Sequence, residues 1–304
     1  GSQLQTSWIE ITQINWKPRW NWLISSAFFY ISAFLPASIF WFLSLRWLGQ
    51  KPSFPDSLYA YYLSQLGKYV PGKAMVVIIR TGAIASNNVK MSIAAVSVFF
   101  ETLTMMGTGA FIASVLLSVY FREKALLSSA SLLIACISFL PLFPPRFIKI
   151  LKILKIGNDD PKIQEPLSNF TIKRLFIGIL LMSILWIFLG LSLWAVIHGI
   201  GLPPDPLVES LPIYVSSVAL AMTLGFVVVV SPGGLGIREA ILASLLLPYL
   251  TDLLQKTENI SFTLEPLVLT TIISLVQRII SIISESIIAV FLTLYHKFGS
   301  YYWN

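Results

Sequence analysis

Charge is scarce in this chain: Asp, Glu, Lys and Arg make up 12% of its 304 residues, where a soluble domain carries about a quarter. That shortage excludes an ordinary water-facing globule. With 56% hydrophobic residues and a mean hydropathy of +0.79, most of the chain must be solvated by lipid. Cysteine is nearly absent: the single Cys136 lies in an apolar run, where it reads as a small buried residue and supports no redox inference. Histidine is almost as rare. His198 and His296 each stand alone near the end of an apolar run, an interfacial placement rather than a metal site. Hydrolase and nucleotide motifs are missing, with no Gly-x-Ser-x-Gly, no Cys pair and no P-loop. Asp159-Asp160 has no partner acid at metal-ligand spacing and reads as a solvated turn. On these absences the chain is expected not to be an enzyme and to need no cofactor or metal.

What is abundant is uncharged length. No ionisable Asp, Glu, Lys or Arg lies between Arg19 and Arg46, Lys124 and Arg146, Arg174 and Asp205, or Glu209 and Arg238. Each run reaches the ~20 residues needed to cross a bilayer at ~1.5 Å per residue. Two more stretches, Met91 to Phe121 and Pro266 to Tyr295, are long enough but carry Glu101 in the first and Arg278 with Glu285 in the second. The expected fold is an all-α polytopic membrane bundle of about six spanning helices. Trp16, Trp20, Trp22, Trp41, Trp47 and Trp303 are expected at span ends as interfacial belts.

The net charge of +7 is concentrated in loops, which points to the positive-inside rule rather than to nucleic acid. The segment 146–174 holds Arg146, Lys149, Lys152, Lys155, Lys162, Lys173 and Arg174 against Asp159, Asp160 and Glu165, and so lies in the cytoplasm. Its first part, Arg146 to Ile156, interleaves cations with Phe, Ile and Leu as an interfacial helix does. Arg46, Lys51, Arg80 and Lys90 fall on the same side. The acidic loops Gly199 to Glu209 and Leu250 to Glu265 fall outside. The resulting organisation is an amphipathic segment 1–19, in which Gly1-Ser2 reads as a tag remnant and before which a helix has room to be missing. A first membrane half 20–145, the basic linker 146–174, a second half 175–297 and a tail 298–304 follow.

Each half contains a broken apolar segment. In the first, 56–84, the break is Pro71-Gly72; in the second, 210–249, it is Pro232-Gly233-Gly234. Proline removes a backbone donor and glycine relaxes the chain, so two helices meeting at the break are expected in each. The first would be a re-entrant hairpin entered from the cytoplasm, the second would be entered from outside, and the pair would form an inverted-topology repeat. Paired interrupted helices are the best pointer to a transporter's site.

At these motifs the sequence resembles the membrane domain of lysylphosphatidylglycerol synthase/flippase proteins and its stand-alone flippase-like relatives. The resemblance rests on Leu66-Gly-Lys-Tyr-Val-Pro-Gly-Lys73, on Glu101, and on Ser231-Pro-Gly-Gly-Leu-Gly-Ile-Arg-Glu239, and runs from about Trp16 to Tyr295. Family members that make aminoacylated lipid carry a further soluble synthetase domain, which this sequence does not include, so the resemblance implies lipid translocation rather than synthesis. It also implies a basic residue in the last span opposite the hairpins. One departure is Thr102 after Glu101, where the family pattern has a basic residue; a local ion pair there is not implied.

The candidate site follows. Helices starting after each Pro-Gly offer free N–H groups and a positive dipole end to an anion, flanked by Lys68, Lys73 and Arg80 in the first half and Arg238 with Glu239 in the second. Lys68 and Lys73 have the bland alternative of snorkelling to headgroups. Glu101, Arg278 and Glu285 are costly inside a span, by at least ~2.5 kcal/mol, and face partners or a polar cavity. Arg278 and Glu285, seven apart on one helical face, are either a mutual pair or lining of the headgroup path. The substrate-binding set is therefore Lys68, Pro71, Gly72, Lys73, Arg80, Glu101, Pro232, Gly233, Gly234, Arg238, Glu239, Arg278 and Glu285. The expected function is translocation of an anionic, phosphate-bearing lipid across the bacterial cytoplasmic membrane, as a scramblase or driven by an ion gradient with Glu101 or Glu285 as proton carrier. The alternatives are a lipid-modifying transferase, with Glu239 as its acid or base, and a lipid-presenting partner of a separate enzyme.

Overall fold

The structure, a computed structural model, describes residues 18–70, 74–86, 88–120, 125–142, 146–147, 149, 171–202, 205–227, 236–256 and 265–302. The described secondary structure is helical. In chain order the helices are α1 Trp20–Trp47, α2 Phe54–Gln65, α3 Ala74–Ile84, α4 Met91–Tyr120, α5 Ala125–Ile137, α6 Ile172–Gly199, α7 Leu207–Val227, α8 Ile237–Lys256 and α9 Pro266–Tyr302. Short 3₁₀ turns cover Leu66–Tyr69 and Leu140–Leu142. Among the described residues five helices, α1, α4, α6, α7 and α9, are long and apolar enough to cross a membrane, and the protein is an integral multi-pass membrane protein.

This corrects the expected count in one place. The run Ala125 to Pro145 does not form one spanning helix: α5 has 13 residues, roughly 20 Å at 1.5 Å per residue, and is followed by the 3₁₀ turn that contains Pro141. Proline cannot continue the hydrogen-bond ladder there. Cys136 on this helix is exposed rather than buried, among Leu132, Leu133 and Ile137, which are exposed too; on a membrane helix such a face meets lipid. Most of the linker 146–174, the segment 1–17 and both Pro-Gly breaks, including Pro71, Gly72, Lys73, Pro232, Gly233 and Gly234, lie outside the described residues.

Local chemistry sets the helix ends. α1 stops in a Schellman turn: Gly49, at φ 75°, and Gln50 donate their amides to Arg46 O and Leu45 O, a left-handed turn that glycine adopts without a Cβ penalty. The Ser53 hydroxyl caps α2 by accepting from the Asp56 amide, with Pro55 in the first turn. Thr171 does the same for α6 through the Arg174 amide.

α1 and α6 form the antiparallel spine. Arg19 N donates to Gly199 O at one end, the Ser26 and Ser192 hydroxyls meet about two turns further in, and the Arg174 guanidinium lies 5.3 Å from the Trp47 ring at the other end. The basic ends of both helices thus share one side, as the charge distribution predicts. Small residues allow the close approach: a Cβ on Gly178 would fall within 2.5 Å of the Phe40 ring, and one on Gly109 within 2.4 Å of Trp186, the usual device for helix packing in lipid. Trp41 is fully buried, donating to Ser97 Oγ at 2.9 Å, so it belongs to the core and not to an interfacial belt.

The first broken segment folds back on itself. α2 and α3 pack together, and a Cβ on Gly67 would lie 2.9 Å from the backbone of Met75 and Val76, so the arms touch backbone to backbone there. Lys51, before the segment, donates its amide to Asn88 O after it, and Lys90 N donates to the Gln50 side chain. Both ends of the segment therefore lie side by side. In the second half α7, 21 residues long, packs against α8.

Candidate functional site

Polar groups collect along α9. Ser274, Gln277, Arg278, Ser281, Ser284 and Glu285 are buried at intervals of three and four residues, one inward stripe of a helix. Leu275, Ile279, Ile282, Ile283 and Ile287 on its other faces are exposed. This arrangement is inside-out for water and right for lipid, where buried polar stripes face partners or cavities.

The stripe meets the tip of the first hairpin. The Lys68 ammonium pairs with Glu285 Oε1, and the Tyr30 hydroxyl from α1 donates to the same oxygen. Lys68 therefore turns inward, with a side chain 19% exposed against 2% for Glu285, and does not snorkel. Its ammonium lies 5.3 to 5.9 Å from the rings of Tyr69, Phe34 and Tyr30, an aromatic collar that steadies a cation. Arg278 sits 5.2 Å from the Tyr69 ring, and its Nε lies 3.9 Å from Glu239 Oε1. Arg238, in the first turn of α8, is 7% exposed. It directly precedes Glu239, which brings it to the end of α8 that Arg278 approaches.

Five expected residues, Lys68, Arg238, Glu239, Arg278 and Glu285, thus form one buried cluster built from the hairpin tip, α8 and α9. Its pairing differs from the sequence spacing. Arg278 and Glu285 share a face of α9, yet Glu285 pairs with the hairpin and Arg278 approaches α8. α8 starts at Ile237, and Glu239 Oε2 accepts from the Gly236 amide at 2.8 Å, the reach-back of a capping box. That carboxylate already occupies a donor at the second helix start.

Arg80 and Glu101 form a separate, saturated pair. Arg80 Nη1 donates to Glu101 Oε2 at 2.7 Å and its Nε to Ser64 Oγ at 2.8 Å, while the Tyr61 hydroxyl donates to Glu101 Oε1 at 2.9 Å. The guanidinium lies 4.1 Å from the Tyr61 ring, and both residues are almost wholly buried. The ion-pair partner for Glu101 thus comes from α3, while Thr102 Oγ1 donates to Oε2 only at 3.4 Å. This pair braces both hairpin arms against α4.

Sequence reasoning missed two things. Tyr30 and Tyr61 were unmarked by any motif, and Tyr69, though inside the Leu66–Lys73 motif, was given no role, yet all three supply hydroxyls or rings to the charged groups; the serine and glutamine spacing on α9 was a signal that a search for polar periodicity finds. The second omission is Asp205, read as loop charge. Its carboxylate is buried and accepts from the Tyr214 hydroxyl, from the Tyr249 hydroxyl at 2.7 Å and from Trp194 Nε1 at 3.2 Å. His198, also buried, lies 3.6 Å from it. His198 is therefore not alone.

Comparison with known proteins follows this geometry. No curated protein matches the chain. A family described as Lysylphosphatidylglycerol synthase TM region matches residues 3–253, a stretch that includes Lys68, Arg80, Glu101, Arg238 and Glu239 and ends before α9. That match covers most of the chain and both broken segments, and so the chain belongs to the lysylphosphatidylglycerol synthase transmembrane-region family.

Proposed function

We propose that the protein is a translocase for an anionic, phosphate-bearing membrane lipid, working in a bacterial cytoplasmic membrane. The observation that carries this reading is the convergence of the hairpin tip, α8 and α9 on one buried place: Lys68 pairs with Glu285 beside the Tyr69 ring, Arg278 reaches both that ring and Glu239, and the buried Arg238 directly precedes Glu239. Buried cations inside a membrane bundle are expensive and mark ligand or ion paths, and guanidinium groups suit phosphate oxygens. In this reading the hairpin 56–84 is re-entrant, the two halves form an inverted repeat, and they rock about the cluster while the lipid tails stay in the bilayer. The closeness of Lys51 and Asn88 at the two ends of the first hairpin supports the re-entrant path. The Arg80–Glu101 brace keeps the hairpin rigid as it moves.

The test is reconstitution in liposomes with a fluorescent phosphatidylglycerol and a membrane-impermeant quencher. The expected result is protein-dependent loss of fluorescence from the inner leaflet, abolished by Arg238→Ala in a variant that still inserts and runs as a monodisperse species. Unchanged leaflet accessibility with wild-type protein would sink the translocase. A change in the lipid's chemistry would instead favour the transferase, for which Glu239, engaged with the Gly236 amide, is the only acid in the second broken segment.

A further inference from the structure

The reading above leaves open what drives transport, and the cluster contains a specific answer. Glu285 is 2% exposed, and its two oxygens are unequal. Oε1 receives both Lys68 and Tyr30; Oε2, buried as well, has no hydrogen-bond partner among the described residues. The other charged or titratable groups around the pair are Tyr69, whose ring lies 5.3 Å from the Lys68 ammonium and 5.2 Å from Arg278, Arg278 on the same helix as Glu285, and Glu239 with its neighbour Arg238 on α8. Of these, Glu239 Oε1 faces Arg278 at 3.9 Å, leaving Lys68 as the cation that Glu285 holds directly.

Lys68 is also the cation best placed to meet a headgroup, since its side chain is 19% exposed while Arg238 and Arg278 are each about 7% exposed. A phosphate that engages Lys68 would put a second anion beside Glu285, in a site where an ion that loses its partner is strongly disfavoured. Glu285 has one inexpensive response: neutralisation. We propose that Glu285 is a proton site coupled to the lipid, its Oε2 taking a proton from the aqueous phase when phosphate displaces it from Lys68 and returning that proton when the lipid leaves. The step forms one O–H bond at Oε2 on loading and breaks it on release. For a phosphodiester headgroup the added charges cancel, so the site carries the same charge empty and loaded. A pH gradient then drives the lipid, while the membrane potential does not act on the loading step. Glu101 does not fit this role, because both its oxygens are held by Arg80 and Tyr61. The inference rests on the phosphate site proposed above.

The experiment is titration calorimetry of the full chain in detergent with dihexanoyl phosphatidylglycerol, whose phosphodiester exchanges no proton near neutral pH, in buffers of different ionisation enthalpy. The expected result is uptake of about one proton per lipid bound, with affinity weakening about tenfold per pH unit across the pH range in which that uptake is seen. In Glu285→Gln, which stands in for the protonated acid, the buffer dependence disappears. Should that variant not fold, Glu285→Asp, which shortens the reach to Lys68, is expected to move the pH midpoint. Lipid binding by the wild type without proton uptake overturns the inference and leaves the phosphate site standing, as does uptake that survives Glu285→Gln. No binding of the lipid at all removes the phosphate site and this inference with it.

Discussion

At the scale of single residues, the pairing of Lys68 with Glu285 is the most informative contact, because it joins two groups 217 positions apart that were each costly alone. Removing either member leaves a buried charge without its partner, at about 3 to 5 kcal/mol. Lys68→Met and Glu285→Gln are each expected to lower the thermal stability of the detergent-solubilised protein. The double variant should regain most of that loss, with an interaction energy up to roughly 3 kcal/mol, and should still fail to move lipid. Near-additive single effects would show that the two groups are not partners. The sequence placed Glu285 next to Arg278 by helical spacing; the same cycle run on Arg278→Gln with Glu285→Gln should show the weaker coupling, since Arg278 approaches Glu239 instead.

At the scale of elements, the first hairpin depends on Gly67. Any side chain there meets the backbone of Met75 and Val76, and backbone cannot rotate away as a side-chain tip can. Gly67→Ala is expected to splay the two arms, cost about 1 to 3 kcal/mol and reduce transport, read as a lower unfolding temperature alongside the liposome assay; a fully active, fully stable variant would mean that the arms do not touch there. The orientation of the segment has its own test. In a Cys136→Ala background, cysteines at Ser53 and Asn88, both exposed, should both be labelled from the cytoplasm. Cysteines at Val208 and Gln255, also exposed and at the far ends of α7 and α8, should be labelled from outside. Labelling of Ser53 and Asn88 from opposite sides would end the re-entrant reading and the inverted repeat with it.

At the scale of the whole molecule, two polar centres hold the bundle together in addition to the proposed site. The Arg80–Glu101 brace joins α3 to α4, with Tyr61 of α2 on the same carboxylate. The Asp205 carboxylate gathers Trp194 of α6, Tyr214 of α7 and Tyr249 of α8. Asp205→Asn keeps the shape but replaces one acceptor oxygen with a donor facing other donors. It is expected to cost about 1 to 3 kcal/mol, seen as a lower unfolding temperature, without changing the rate of lipid movement per folded protein. A loss of transport with unchanged stability would instead place Asp205 on the lipid's path.

The sequence by itself determined the solvent and the class of fold, because a deficit of charge and long uncharged runs permit only helices that satisfy their own backbone in lipid. It also determined that the basic ends of α1 and α6 share one side, and that Glu101, Arg278 and Glu285 had to find partners inside the membrane. Which partners they found was decided by tertiary structure alone. Spacing along one helix says which residues share a face, as Arg278 and Glu285 do. Whether that face meets Lys68 of a folded-back hairpin or Glu239 at the start of α8 depends on how separate helices rotate and slide as they pack. The same reason separates Asp205 and His198 from their sequence reading: one was loop charge and the other a lone group at a span end, and only the convergence of α6, α7 and α8 closed over them.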